Sequence, residues 1–400
     1  MKFLRGLGPA ALAVFLWACS GEYPQSSIDP RSDFAESIHS LYVLIFWITL
    51  VILILVWGVM AYVMVKYRAR PGTPHPRQIH GHLGIEILWT LLPAVLVVVI
   101  AIPTIQTVFR TQRPPGDDAL IVDVIGHQFW WEFRYPDGVV TANELHLPVG
   151  RPVSLRLQSA DVIHSFWVPM LGGKRDLNPV VRRPEGDTIP HNNWLHFTIN
   201  EAGLYRGQCA EFCGQSHSIM GVRVVAETDA EFESWKNAWR GPTLDTVPAA
   251  EGNEPAEVAA ADSIAATLDS AVVADAGAQG GGGAARIELG RQTFHSNTCI
   301  ACHAIQGTTA AGPVGPNLTL LGRRTTIVGW LDNTPDNLAR WITAPHSIKP
   351  GALMPGVAEM GGNFPPTNLT EEQVRAVAEY LWSLGREPGE PVTSSGAAGG

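Results

Sequence analysis

The strongest constraint on the fold is a pair of long apolar runs that contain no charged side chain. They cover residues 41–65 and 87–109. Each is long enough to cross the roughly 30 Å hydrocarbon core of a bilayer as a helix. The segment between them has no acidic residue before Glu86 and holds four basic ones: Lys66, Arg68, Arg70 and Arg77. Because basic loops stay on the cytoplasmic side, both flanks of this hairpin are predicted to lie outside.

The first 18 residues have the layout of a secretory signal. Lys2 and Arg5 precede an apolar stretch that ends just before Cys19. This arrangement resembles a bacterial lipoprotein signal, which implies a lipid anchor at Cys19. A plain signal peptide, or an uncleaved anchor with an incidental cysteine, is the alternative. Residues 19–110 then hold the N-terminal segment and both membrane helices.

Composition divides the rest of the 400 residues into segments. The net charge of −9 without a basic cluster argues against nucleic-acid binding. Residues 241–285 are rich in alanine, glycine and acidic side chains and contain no lysine or arginine, so they are predicted to be a flexible linker. Residues 386–400 are predicted to be a disordered tail.

Short strands are predicted between residues 115 and 236. Segments 120–125, 152–157 and 194–199 alternate apolar and polar residues, and glycine, proline and asparagine separate them. Several short strands within about 100 residues predict an all-β Greek-key sandwich.

One loop of this region carries a concentrated set of metal donors: Cys209, Cys213, His217 and Met220. Soft sulfur donors together with imidazole favour copper over magnesium, calcium or manganese. Two cysteines four residues apart can bridge two metal ions, and a second histidine is then needed, for which His164 is the best candidate. A structural zinc site, a disulfide and a copper-delivery site are the alternatives.

A second chemical motif lies beyond the linker, in the sequence Cys-Ile-Ala-Cys-His at residues 299–303. This is the attachment sequence for c-type haem, in which Cys299 and Cys302 bond the vinyl groups and His303 ligates the iron. A thioredoxin-like redox pair or half a zinc site is the alternative for a bare Cys-x-x-Cys. Residues 353–356 resemble a segment of the class I cytochromes c, which implies Met354 as the second axial ligand, with Met360 as the runner-up.

The segments around the haem motif resemble class I cytochromes c. Residues 315–318 and 353–356 carry this resemblance, which implies an all-α cytochrome c domain over residues 286–385. Residues 371–384 have helical periodicity, with Thr370 as the predicted cap of the closing helix.

The donor loop and residues 85–93 resemble subunit II of the haem-copper cytochrome c oxidases. With the added cytochrome, the chain is similar to subunit II of the caa3-type oxidases. The resemblance implies a cupredoxin-like sandwich that holds the binuclear copper centre CuA. In it the two cysteines bridge, the two histidines are terminal, Met220 is axial and Glu211 ligates through its carbonyl.

Three further roles are implied by the resemblance. The Glu211 carboxylate would bind a magnesium ion shared with subunit I. Glu86 would mark the mouth of a proton pathway, although a solvated helix end explains it equally well. In the aromatic segment 126–135, Phe129 stands where the family has a tryptophan that receives electrons from soluble cytochrome c. The alternative interpretation of this segment is a packed sandwich edge.

The resemblance implies a subunit of a proton-pumping terminal oxidase in the bacterial inner membrane. Electrons would pass from a periplasmic donor, a cytochrome c or an upstream quinol-oxidising complex, through haem c and CuA to subunit I, which reduces oxygen to water. Subunit I and subunit III are the expected partners, and the chain alone would not reduce oxygen. The alternatives are an electron-delivery subunit of a CuA-containing nitric-oxide reductase and a membrane-tethered copper chaperone.

Overall fold

The computed structural model describes residues 23–68, 71–72, 81–179, 181–182, 188–189, 193–240 and 282–386. Cys19, the basic residues Arg70 and Arg77 and most of the predicted linker lie outside the described residues. Two long helices come first, followed by a β-sandwich and then a small helical domain. The predicted fold class is confirmed.

The two apolar runs form helices α1 (Asp33–Lys66) and α2 (Leu83–Thr111). Their most apolar windows have mean hydropathies of 2.9 and 2.6, and none of either window is buried inside the protein. Among the described residues, these are the two helices long and apolar enough to cross a membrane. Pro93 and Pro103 lie inside α2, which continues through both.

Helix α1 starts well before its apolar run because its first turn is anchored in the sandwich. Ser32 caps the helix: its Oγ accepts a hydrogen bond from Ala35 N at 3.1 Å and donates one to Leu171 O at 2.5 Å. Asp33 Oδ1 accepts a hydrogen bond from the backbone N–H of Thr198 at 2.7 Å. The first membrane helix is therefore joined directly to the β-domain.

The sandwich consists of two five-stranded sheets, in the orders β10-β5-β1-β2-β3 and β4-β12-β11-β6-β7. A two-stranded ribbon, β8-β9, accompanies them. The strands are β1 (Leu120–His127), β2 (Trp130–Arg134), β3 (Val140–Ala142), β4 (Glu144–Pro148), β5 (Pro152–Ser159), β6 (His164–Trp167), β7 (Arg175–Leu177), β8 (Val181–Arg182), β9 (Thr188–Ile189), β10 (Asn193–Thr198), β11 (Gly203–Cys209) and β12 (Gly221–Glu227). The three segments predicted as strands form β1, β5 and β10.

Alternating side chains of both sheets fill one core. The pairs β1–β5 and β4–β12 are parallel, and the other pairs within the two sheets are antiparallel. On β5, Val153, Leu155 and Leu157 are all fully buried. Helix α3 (Asp229–Arg240) closes the domain by packing near β4 and β12.

The helical domain is formed by α4 (Gly282–Ser296), α5 (Cys299–Cys302), α6 (Pro335–Thr343), α7 (Pro345–Ile348) and α8 (Glu371–Ser383), with a small hairpin of β13 (Thr326–Ile327) and β14 (Leu331–Asp332). Thr370 and Gln373 form a capping box at the start of α8, as expected for the closing helix. Helices α4 and α8 pack together, and Phe294 and Val377 are buried in the core of the domain.

Three helix ends or contacts lie close to the predicted domain boundaries. Helix α3 continues past residue 236, the predicted end of the sandwich domain, to Arg240, and α4 begins at Gly282, inside the predicted linker of 241–285. Adding a residue to an existing helix costs much less than starting one, so packed helices extend into glycine-rich flanks. Arg386, assigned to the tail, donates a hydrogen bond from Nε to Gly322 O at 2.8 Å and lies over the ring of Trp382.

Replacing Leu155 with alanine should destabilise the sandwich. Its side chain is fully buried between the sheets, so Leu155→Ala leaves a cavity and should lower the free energy of unfolding by about 2–5 kcal/mol. Thermal unfolding of the detergent-solubilised chain, followed by tryptophan fluorescence, measures this. Leu204→Ala is the matched control, since Leu204 is 43% exposed on β11. Equal transition temperatures for the two variants would contradict the packing described.

Candidate copper and haem sites

The predicted copper donors come together at one end of the sandwich. His164 begins β6 and Cys209 ends β11, and these strands are antiparallel neighbours with Cys209 opposite Phe166. The chain then forms the loop containing Cys213, a single 3-10 turn beginning at His217, and Met220 immediately before β12. Because β11 and β12 are also paired, the loop closes back on its own start.

The donor atoms form an elongated set with a histidine at each end. The two cysteine sulfurs are 3.8 Å apart. His164 Nδ1 lies 3.8 Å from Cys209 Sγ, and His217 Nδ1 lies 3.7 Å from Cys213 Sγ. Met220 Sδ is 3.8 Å from Cys213 Sγ, and the Glu211 carbonyl oxygen is 3.2 Å from Cys209 Sγ.

Neither the disulfide nor a single tetrahedral zinc ion fits this arrangement. A disulfide requires sulfurs about 2.05 Å apart, and both cysteines are free. Zinc takes four ligands, whereas six donors surround this site and one of them is a thioether. The donor atoms of His164, Cys209 and Cys213 lie within 4.8 Å of one another, while His217 approaches from the Cys213 side. The donors therefore extend over more space than the four ligands of one tetrahedral ion occupy.

The charge state of the two thiols favours a bound cation. Both are 3% exposed. The hydrogen bond that they share lowers the pKa of Cys209 to about 3 and raises the pKa of Cys213. The protein alone therefore stabilises one thiolate, since a second adjacent negative charge is unfavourable in a buried site. Two thiolates require compensating positive charge between them.

Asp161 orients the His164 ring. Its Oδ1 lies 2.8 Å from His164 Nε2, so this nitrogen donates the proton and Nδ1 directs its lone pair toward Cys209. Burial opposes protonation of His164, but the hydrogen bond with Asp161 raises its pKa overall. The aspartate is held in turn by the backbone N–H groups of Gln128 and Val162, each at 2.6 Å.

Two acidic residues of the predicted set lie in different surroundings. Glu211 places its carbonyl among the donors while the residue itself is exposed. Glu86 stands in the first turn of α2, where its Oε1 accepts a hydrogen bond from the backbone N–H of His82 at 3.2 Å. This contact satisfies a free amide at the helix start, in addition to any role in proton transfer.

The haem motif lines a largely apolar cavity of about 260 Å³ in the helical domain. Cys299 and Cys302 are free thiols in its wall, and His303 follows them. His303 Nδ1 donates a hydrogen bond to Pro316 O at 2.8 Å, so Nε2 remains free as a ligand. Burial lowers the pKa of His303, which keeps the imidazole neutral. A Cβ at Gly315 would lie 2.6 Å from the ring, so only glycine fits there.

Met354 and Met360 differ in their positions. Met354 is half-buried and lines the same cavity as His303. Met360 is 59% exposed and does not contribute to the cavity wall. The donor set around the cavity, with two thiols, a neutral imidazole and a thioether, fits a covalently attached haem, and Met354 rather than Met360 lies at that cavity.

The aromatic segment of the sandwich forms part of the haem cavity wall. Gln128, Phe129 and Trp130 line the cavity beside residues of the helical domain. Phe129 is 5% exposed, and Gln128 Nε2 donates a hydrogen bond to the Cys213 carbonyl at 2.5 Å. The segment is therefore a packed edge and also lies between the two sites.

Sequence reasoning assigned no role to Asp161 or Gln128. Asp161 lies three residues before His164, which is a usable signal because metal-bound histidines commonly donate their other nitrogen to a carboxylate. Gln128 meets Cys213 only through the fold, since 85 residues separate them.

Family models match three consecutive parts of the chain. One described as "Cytochrome C oxidase subunit II, transmembrane domain" matches residues 25–107, and one described as "Cytochrome C oxidase subunit II, periplasmic domain" matches residues 138–227. A model described as "Cytochrome c" matches residues 287–385. Their order is the order of the helices, the sandwich and the helical domain.

Curated relatives match nearly the whole chain. Cytochrome c oxidase subunit 2 of Alkalihalophilus pseudofirmus is 34% identical over 95% of this chain and 96% of its own length. The protein of the same name from Bacillus sp. (strain PS3) is 31% identical over 80% of each. Among solved structures, the periplasmic domain of subunit II of cytochrome oxidase from Bradyrhizobium japonicum is 28% identical, covering 32% of this chain and 96% of its own, with a TM-score of 0.28.

The relatives cover both membrane helices, the sandwich with its copper donors and the domain with the haem motif. The chain therefore belongs to the cytochrome c oxidase subunit 2 family, as a subunit through which electrons enter a terminal oxidase, and it carries a cytochrome c domain of its own.

Proposed function

We propose that the chain takes electrons from a periplasmic donor at a covalent haem c and passes them through a binuclear copper centre to subunit I, which reduces oxygen to water. The observation that carries this proposal is the presence of two distinct donor sets on one chain, with Phe129 and Gln128 between them. Both groups, when bound, change charge by one electron without making or breaking protein bonds.

At the copper site, the chain supplies ligands and excludes water. Cys209 and Cys213 would hold the two ions between them, with His164 and His217 as further ligands, and the elongated donor set with a histidine at each end supports this assignment. Met220 and the Glu211 carbonyl would complete the coordination. The burial of His164 and Met220, both at 0% exposure, keeps the site rigid and dry.

At the haem site, Cys299 and Cys302 would form thioether bonds, and His303 would be held as a ligand by its hydrogen bond to Pro316. Met354, which lines the same cavity, would be the second axial ligand. A histidine and methionine pair tends to raise the potential of a haem, which suits a donor to copper.

The two apolar helices support an assignment to the bacterial inner membrane, with the sandwich and cytochrome domain on the periplasmic side. We propose subunits I and III as partners, with a cytochrome c or a quinol-oxidising complex as the upstream donor. Glu211 would also contribute its exposed carboxylate to a magnesium site shared with subunit I. Glu86 would lead protons toward subunit I, and Cys19, outside the described residues, would carry the lipid anchor.

Removing one cysteine from one motif should disrupt that site and leave the other site intact. In the full chain, Cys209→Ser should abolish the mixed-valence copper signal in electron paramagnetic resonance while one covalent haem is retained. Cys302→Ser should weaken covalent haem attachment and leave two coppers per chain. Metal analysis, haem staining and spectra of the purified full chain measure both. One copper or zinc per wild-type chain would contradict the binuclear site.

The final electron acceptor, oxygen or nitric oxide, is identified with the complex that is purified together with this chain. Oxygen consumption supported by a reduced cytochrome c should be lost with Cys209→Ser. Consumption of nitric oxide, with none of oxygen, would replace the oxidase function by nitric-oxide reduction.

Loss of the Asp161 carboxylate should weaken copper binding without unfolding the sandwich. Asp161→Ala frees the His164 ring to rotate and removes the acceptor of its Nε2 proton, so copper affinity should fall by about 10–100-fold. Competition with a copper chelator measures the affinity of the full chain. The control is Asp118→Ala, an exposed aspartate before β1. Equal affinities in both variants would exclude an orienting role for Asp161.

A further inference from the structure

We propose that Ser216 and Lys349 are positioning residues that dock the chain's own cytochrome domain on the copper loop, in the arrangement through which an electron crosses between the two sites. The docking contact is defined here as Phe129, Glu144, Ser216 and Gly221 of the sandwich with residues 325–329 and 349–351 of the helical domain. The inference rests on the proposed function, because it concerns transfer between the two proposed cofactors.

The first contact joins the two ligand loops directly. Ser216 Oγ donates a hydrogen bond to the Pro350 carbonyl at 2.6 Å. Ser216 is 1% exposed and immediately precedes His217, a proposed copper ligand. Pro350 lies in the same loop as Met354, a proposed haem ligand. One hydrogen bond therefore connects the peptide next to one ligand with the loop that carries the other.

The second contact is a buried lysine shared by both domains. Lys349 is 3% exposed, and its Nζ donates hydrogen bonds to Phe129 O and Val328 O, both at 2.7 Å. Phe129 belongs to the sandwich and Val328 to the hairpin of the helical domain. Desolvation lowers the pKa of this lysine to about 7. Burying an ammonium group is costly, so its position depends on keeping both carbonyls in place.

A third contact anchors the edge of the docking contact. Glu144 is 3% exposed, and its Oε1 accepts hydrogen bonds from the backbone N–H groups of Thr325 and Thr326, both at 2.9 Å, and from their hydroxyls. Arg223, beside Glu144 in the sheet, donates to Thr325 Oγ1 at 3.0 Å. A buried carboxylate satisfied in this way fixes the rotation of the hairpin against the sandwich.

The backbones of the two domains also meet closely. A Cβ at Gly221 would lie 2.8 Å from the Gly329 carbonyl oxygen. A Cβ at Gly351 would lie 2.7 Å from Gln215 Oε1 and 3.3 Å from the Phe129 ring. Glycine at these positions lets the ligand loops approach more closely than any other residue would allow.

Electron transfer between the two proposed cofactors would neither form nor break a bond. One electron leaves the ferrous haem, whose iron becomes ferric, and enters the oxidised copper pair, so no proton or leaving group moves. The donor that reduces the haem supplies the electron. Because tunnelling rates fall steeply with distance, the residues that fix the separation of the sites control the rate without touching either metal.

The test uses the full chain in detergent, with Ser216→Ala, Lys349→Met and the double variant. After rapid photoreduction of the haem, its reoxidation and the bleaching of the copper band are followed together. Each lost hydrogen bond of this buried kind should lower the docking equilibrium constant by about tenfold, so the double variant should lower it by about 100-fold and slow transfer by about tenfold or more. The haem spectrum and the copper resonance should stay as in the wild type.

A readout that needs no copper tests the docking itself. In the copper-free chain, hydrogen exchange at residues 214–217 and 349–352 should accelerate in the double variant, while exchange in β5 stays the same. Ser218→Ala, in the same turn as Ser216 but exposed, and Lys174→Met, an exposed lysine of the sandwich, are the matched controls.

Gly221→Ala provides an independent route to the same result. Its methyl group would press against Gly329 of the other domain, and the backbone of Gly221 is not in the left-handed region, so the sandwich itself is not strained. It should slow transfer and raise exchange as the double variant does, which covers the case in which Lys349→Met fails to fold.

The results of these experiments distinguish failure of the docking proposal from failure of the proposed function. Wild-type rates and wild-type exchange in all the folded variants would overturn the docking roles and leave the proposed function intact. A wild-type chain with both cofactors whose reduced haem never reduces the copper would overturn the proposed function and this inference with it.

Discussion

The sulfur atoms of two buried thiols lie 3.8 Å apart, and the surrounding structure must compensate the negative charge that they develop as thiolates. A single thiolate is stabilised by its neighbour's proton, whereas two adjacent thiolates need positive charge between them. The donors nearest to them are two imidazoles and a thioether, which suit copper, together with one backbone carbonyl. The sandwich can be understood as the scaffold that holds this pair together.

That scaffold holds part of the donor set on paired strands. β6 and β11 are neighbours in one sheet and carry His164 and Cys209, and the carbonyl of Met220, just before β12, accepts a hydrogen bond from the backbone N–H of Cys209. The same domain holds the start of α1 through Ser32 and Asp33. The copper loop consequently has a defined orientation relative to the membrane helices, where a catalytic subunit would receive the electrons.

The cytochrome domain adds a donor that is always nearby. Because this domain is covalently joined to the sandwich, its effective concentration there is high, and a small docking contact is enough to hold it. The contact seen here is polar and specific, with Glu144, Ser216 and Lys349 each making hydrogen bonds across it. Phe129 is 5% exposed, and its carbonyl accepts a hydrogen bond from Lys349 of the cytochrome domain, so this residue lies within the contact.

The sequence by itself predicted the two apolar helices, the sandwich strands and the closing helix of the cytochrome, and it named the residues that the structure brings together in the two donor sets. Each of these follows from a local feature of the sequence: the length of an uncharged apolar run, the alternation of apolar and polar residues, a capping residue, or the spacing of cysteines and histidines. The tertiary structure alone decided that Asp161 orients His164, that Gln128 reaches Cys213 and that Lys349 is buried between the domains. The tertiary structure also decided that α3 extends to Arg240 and that α4 begins at Gly282, because packing supports these helix ends. Most of these features depend on contacts between residues far apart in the chain. Packing and desolvation select such contacts, which produce no periodic pattern in the sequence.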